Sequence, residues 1–305
     1  MRATPGAIGT TVGFVATFSG TIQKQVLPGG TFAWLQEGPA DAPLALCVHG
    51  FPDHPRTFEP ILGPLLDAGY RVAAPFLRGY APSPVAGPYD AARLGGDVAD
   101  LAGALSGGAP ALLVGHDWGA IAGWHAVAQA PGRFAAFAAL SVPHPRAFLA
   151  NVPKHPTQLL RSWYVGFFQL PLLPEAALRA RDFAAIDRMF RAMSVPPGRL
   201  PAYLAEVKAT LARSLPGPLE PYRALRRKPP RDELRVRVPT LFLIGRQEPA
   251  IDRHMGDGQE RFVDAPFESH VVEGAGHFLH HDRPDHVARL VLDFARRRGG
   301  GYSPR

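Results

Sequence analysis

The sequence predicts an α/β fold: a mostly parallel, twisted sheet with helices on both faces, interrupted by an inserted helical region. Two observations carry this. Short apolar runs alternate with helical patterns through residues 44–142 and again from 240 onward, and strand–helix alternation of this kind buries parallel strands between helices. Between about 145 and 232 the alternation stops, and helical stretches punctuated by proline take its place with little strand pattern.

In chain order, "TIQKQVLPGGTFAWLQEG" (21–38) reads as an antiparallel hairpin at the sheet edge. "LALCVHG" (44–50) is a buried strand ending at a turn, and "RVAAP" (71–75) is a second. "DAARLGGDVADLAGALS" (90–106) has helical spacing. "ALLVGHD" (111–117) is a third strand running straight into the small-residue helix "WGAIAGWHAVAQA" (118–130). "FAAFAALSV" (134–142), "TLFLIG" (240–245) and "SHVVEG" (269–274) continue the strand series, and "PDHVARLVLDFARR" (284–297) is a closing helix. The expected organisation is a core in two parts, residues 1–144 and 233–305, with a helical cap at 145–232. That cap would cover the carboxyl ends of the strands, where open sheets bind ligands. Internal repeats and low-complexity tracts are lacking.

Bulk composition narrows the classes. With 305 residues and 46% hydrophobic content, the chain can bury one large core plus an inserted subdomain. The formal charge of +7 is carried mostly by scattered arginines with no nucleic-acid-binding signature, which reads as a solvated basic surface. The single cysteine, Cys47, sits in an apolar run, so an intrachain disulfide is excluded and a buried small hydrophobe is expected. No apolar run reaches the length of a membrane span. The first 20 residues lack a signal-peptide core and are expected to be a loose extension of a cytoplasmic protein.

Three stretches carry chemistry: "HGFPD" (49–53), "GHDWG" (115–119) and "GAGHF" (274–278). The middle one has the cadence of a nucleophile elbow, with Asp117 where serine is usual. A carboxylate is ionised at neutral pH and needs no activation to displace at a saturated carbon. The alternative for Asp117 is to cap the helix starting at Trp118. His277, after a strand and a Gly-rich turn, is placed to activate water. The "HxxHH" of His277, His280 and His281 lacks partners at metal-ligand spacing, so no metal is expected.

Taken together, and in the order nucleophile, acid, His, these motifs resemble an α/β-hydrolase of the epoxide hydrolase group, related to the haloalkane dehalogenases, over about residues 22–297. The resemblance implies that Asp117 is the nucleophile, His277 the base and Glu248 of "GRQEP" the orienting acid, where aspartate is usual; Asp252 is the runner-up. It implies an oxyanion hole from the backbone N–H groups of Phe51 and Trp118, and a cis Pro52. His49 is expected to fix loop geometry, and Arg78 of "LRGYAPSP" to bond nearby carbonyls. "SWYVGFFQLP" is similar to the family's first cap tyrosine motif and "PYRALRR" to the second, which puts Tyr164 and Tyr222 in those positions, with Tyr203 a weaker candidate for the second. Phenols are neutral donors suited to an opening epoxide oxygen. Trp163 and Phe168 are expected to line an apolar substrate site. The implied reaction converts a small apolar epoxide and water to a diol without a cofactor. A haloalkane dehalogenase or another α/β-fold hydrolase is the alternative, and a non-catalytic small-molecule-binding protein is the alternative of another class. The reading leaves a homodimer open.

Overall fold

A computed structural model describes residues 16–193, 200–226 and 234–299. Eight strands form one sheet: β1 (Ile22–Leu27), β2 (Gly30–Glu37), β3 (Leu44–Val48), β4 (Arg71–Pro75), β5 (Ala111–His116), β6 (Phe134–Leu140), β7 (Thr240–Gly245) and β8 (Phe267–Val272), in the order β1-β2-β4-β3-β5-β6-β7-β8. β1 and β2 are the expected edge hairpin, closed by a two-residue turn between Leu27 and Gly30. β2 also runs antiparallel to β4, and every later pairing is parallel. β3, β4, β5 and β7 are buried at every position, as parallel strands covered on both faces must be.

The covering helices are α1 (Glu59–Asp67), α2 (Ala91–Leu105), α3 (Trp118–Gln129) and, after the last strand, α10 (Leu279–Asp282) and α11 (Pro284–Arg298). α2 packs on α3 and α1 packs on α11. Asp90 caps α2 by accepting from the Arg93 N–H. Phe58, Trp124, Phe137, Phe242 and Phe294 are among the largest side chains buried in the core, and Cys47 is buried with them, its thiol pushed up by burial.

Between β6 and β7 the described residues form six α-helices: α4 (Pro145–Asn151), α5 (Thr157–Arg161), α6 (Trp163–Phe167), α7 (Leu173–Ala192), α8 (Leu200–Ser214) and α9 (Glu220–Ala224). α5 and α6 are single turns, five residues each. α7 is broken at Ala180, and Arg181, Asp182 and Phe183 then have φ of 51°, 51° and 58°. The expected cap boundary at 232 and the first 15 residues lie outside the described residues. No helix among the described residues is long and apolar enough to cross a membrane.

Candidate active site

The site is built where β5 turns into α3. Asp117 has φ 53° and ψ −120°, a conformation that L residues avoid. The flanking glycines make the crossing feasible. A Cβ on Gly115 would meet the Gly119 carbonyl oxygen at 2.5 Å, and one on Gly119 would meet the Val48 oxygen at 1.9 Å. The Asp117 side chain makes no cap bond to α3, so the capping alternative does not describe it. Instead Oδ1 accepts the Phe51 N–H at 2.7 Å, and Oδ2 lies 3.7 Å from His277 Nε2.

Phe51 reaches this carboxylate because the loop after β3 runs directly over the elbow. A Cβ at Gly50 would sit 2.2 Å from Asp117 Oδ1, so that position must be glycine. The Phe51–Pro52 bond is cis, as expected. His49 Nε2 accepts the Leu77 N–H, which fixes the loop. Arg78 is buried in a fork with Asp97 at 2.6 and 2.9 Å and also donates to the Ala86 and Gly29 carbonyls. Its role is structural, as the sequence suggests.

His277 follows β8. Its carbonyl oxygen accepts from Ser141 Oγ at 2.6 Å and contacts His116 Nε2 at 3.0 Å, which pins the loop to the ends of β5 and β6. Its Nδ1 is 2.7 Å from Glu248 Oε2. The other Glu248 oxygen accepts the N–H groups of Ala250 at 2.8 Å and Ile251 at 3.3 Å, which locks the carboxylate in place. Asp252 does not reach His277. It caps the next turn by accepting the His254 N–H at 3.0 Å.

The two phenols share a cavity with the carboxylate. Phe51, Asp117, Tyr164, Met189, Met193, Tyr222, Ala250 and His277 line one cavity of about 40 Å³. The Tyr164 and Tyr222 ring centroids are 5.9 Å apart. Trp118 is buried with its ring edge-on to Tyr222 at 5.0 Å. Phe168 is buried too, but it packs edge-on against Phe51, Tyr164 and Tyr222, supporting the rings that line the cavity rather than lining it. Trp163 is a correction: it is 67% exposed and does not line the cavity. Neighbours on a helix point about 100° apart, so with Tyr164 facing inward Trp163 faces out. Tyr203 is not in the cavity either; its hydroxyl donates to Asp53 Oδ1.

Met189 and Met193 were not anticipated, although their spacing of four in "MFRAM" is a legible one-face signal. Also unanticipated is a buried polar network behind His277. His116 Nδ1 lies 3.8 Å from Asp53 Oδ2, and Thr57 Oγ1 contacts His280 Nε2 at 2.9 Å and His281 Nε2 at 3.0 Å. The His280–His281 pair thus serves Thr57. Among the described residues, His155, His254 and Asp257 are a group with three metal-type ligand atoms, all within 4.8 Å of one another. The two imidazoles there stack 7° from parallel, which does not aim their in-plane lone pairs at a common centre.

Electrostatics couples the site. Burial alone would raise the Asp117 pKa, but the hydrogen bond and charge of His277, helped by His116 and the Phe51 N–H, hold it below the ordinary carboxylate value. Burial alone would lower His277; the charge of Glu248 and the bond to Asp117 overcome it and raise His277 to about 10. Burial, reinforced by the Asp117 charge, raises both Tyr164 and Tyr222, so the phenols remain protonated donors. The resting site is thus a cation held between two anions, facing two neutral O–H donors.

Comparison with known proteins gives the family. The family model described as "Alpha/beta hydrolase family" matches residues 45–290. The chain is 34% identical over 277 residues to epoxide hydrolase 3 of Xenopus tropicalis, covering 87% of this chain and 75% of that protein. It is 32% identical over 305 residues to epoxide hydrolase A of Mycobacterium tuberculosis, covering 85% and 92%. Among solved structures, epoxide hydrolase A from Mycobacterium thermoresistibile superposes with a TM-score of 0.76 at 27% identity, covering 90% of this chain and 98% of that one.

Proposed function

The chain belongs to the alpha/beta hydrolase family, in its epoxide hydrolase group, and on that footing we propose that it hydrolyses an apolar epoxide to a vicinal diol through an ester on Asp117. Oδ1 is engaged by the Phe51 N–H, so Oδ2 attacks an epoxide carbon. The carbon–oxygen bond breaks, and the oxygen takes a proton from Tyr164 or Tyr222. A β-hydroxyalkyl ester is left on Asp117.

Ester formation consumes one of the two negative charges that hold the proton on His277. The imidazolium gives up that proton, which restores the phenol, and His277 becomes a base only after the first step. Water then loses a proton to His277 as it attacks the Asp117 carbonyl. The oxyanion that develops at Oδ1 is met by the Phe51 N–H already in place and by that of Trp118. Collapse releases the diol and regenerates both the carboxylate and the imidazolium. Glu248 orients His277 and balances its charge throughout. The helical segment between β6 and β7 acts as the lid, since it brings both phenols and the methionines to the cavity.

One observation carries this reading above the rest: His277 lies 3.7 Å from Asp117 and 2.7 Å from Glu248, with two phenols lining the same cavity. The test is intact-mass spectrometry of a His277→Gln variant incubated with an aryl epoxide. The expected result is an adduct equal in mass to the whole epoxide, mapping to the peptide that holds Asp117. An alkyl adduct without halogen, formed only from a bromoalkane, would move the chain to dehalogenation.

A further inference from the structure

Of the twelve large hydrophobic side chains that stand exposed among the described residues, six fall within the fifteen positions 159–173: Leu159, Leu160, Trp163, Leu170, Leu172 and Leu173. Leu160 is 76% exposed and Leu172 80%. They sit on the single turns α5 and α6, on the connection to α7 and on its first residue, and one continuous segment that leaves this much apolar surface in water is a contact surface. Basic side chains border it. Arg161 lies within the segment, and Arg226 donates to the Gln169 carbonyl at 2.6 Å; Arg223, which donates to the Leu170 carbonyl at 2.9 Å, is paired with Glu175 and Glu220.

The charge of the whole insertion matches. Residues 145–232 contain 15 Lys and Arg against 6 Asp and Glu, a net +9, while the chain as a whole carries +7. The remainder is therefore net −2, and the helical insertion holds the entire positive excess of the protein. A second copy of the chain is a poor occupant, since two insertions of this net charge repel. An anionic lipid surface is a good one. It attracts each nearby cation by about 1 kcal/mol, accepts leucine side chains at the acyl boundary, and favours tryptophan at headgroup level.

We propose that the helical insertion docks peripherally on anionic phospholipid bilayers, seating Leu159, Leu160, Trp163 and Leu170–Leu173 in the interface. Neither the basic patch nor the apolar one suffices alone, and the two signals together make the binding stable. The docking surface stands on exposure and charge alone and is independent of the reaction proposed above. The same insertion supplies Tyr164, Met189 and Met193 to the cavity, so docking sets the reaction cavity next to the phase in which apolar molecules concentrate.

The protein carries its own probe. Of its four tryptophans, Trp34, Trp118 and Trp124 are buried, and Trp163 is exposed. The experiment mixes the full chain with vesicles of phosphatidylcholine alone or with about one part in three phosphatidylglycerol, at low and high salt, and reads flotation together with tryptophan emission. Expected are binding to the phosphatidylglycerol vesicles that high salt releases, a blue shift of emission on binding, and a loss of about tenfold or more in partitioning for a Leu160→Glu/Leu172→Glu variant. Turnover of a water-soluble epoxide by that variant, without vesicles, checks its fold and reads the chemistry separately. Absence of flotation at low salt, flotation unaffected by the two substitutions, or a dimer in solution that they dissociate would each overturn the proposal.

Discussion

Asp117 and His277 cannot be titrated apart, because their opposite charges lie 3.7 Å from each other, with Glu248 on the other ring nitrogen at 2.7 Å. Replacing Asp117 with Asn removes one of the two anions that raise His277 to about 10, and the imidazole should then titrate lower by about one unit or more in an NMR pH series. An unchanged midpoint would assign the shift to Glu248 alone. The sign for stability follows. A raised histidine stabilises the fold fully below its ordinary value of 6.5, and the contribution is lost as pH rises toward about 10. The phenols offer a second test. Tyr164→Phe and Tyr222→Phe should each lower kcat by about ten- to a hundredfold with little change in KM, and the double variant by more than either. Much of this site was legible because the motifs follow the strands that position them. The choice between Glu248 and Asp252 was not, since both lie on one loop; the contact of Glu248 Oε2 with His277 Nδ1, with the Ala250 and Ile251 amides holding the other oxygen, shows which carboxylate is held toward His277. Trp163 was misplaced because a five-residue helix gives too little periodicity to tell its inner face from its outer one.

At the scale of elements, the entry to α3 at Gly119 leaves less room for a Cβ than any other described glycine position. Gly119→Ala would drive a methyl into the Val48 backbone, which cannot turn aside as a side chain could. A loss of about 3 kcal/mol or more is expected in chemical denaturation; a change near zero would mean that β3 and α3 can part at little cost. Strands and long helices were readable from apolar runs and periodicity. α1 escaped because Pro60, Gly63 and Pro64 mask a helix that nonetheless buries Ile61, Leu62 and Leu65. Pro60 falls in the first turn, where its missing N–H costs nothing. The break in α7 has no local signal, since neither glycine nor proline lies at 180–183.

For the molecule as a whole, the buried histidines set a lower pH limit. Burial lowers His49 and His144 to about 4 and His54 and His116 to about 3, with His280 depressed as well. Below pH 6.5 the unfolded chain takes up protons that the folded chain refuses, at a cost on the order of 1–2 kcal/mol per histidine by pH 5. Asp53, raised to about 7 by burial, opposes this in part, because the folded state holds its proton where the unfolded state does not. Urea midpoints should fall steeply between pH 6.5 and 4.5, and a flat profile would contradict the burial of these rings.

The elbow at Asp117 carries a consequence for any directed search through variants of this chain. A side chain sits there at a φ of 53°, which only glycine adopts freely. Glycine at 117 would relieve that strain, and water in the vacated space could take up the Phe51 N–H, whereas the charge pairing with His277 would be lost. A library ranked by melting temperature alone contains nothing that keeps the proposed nucleophile. Selection for robustness has to be coupled to turnover at every round, or the first improvement it keeps can be the loss of the reaction.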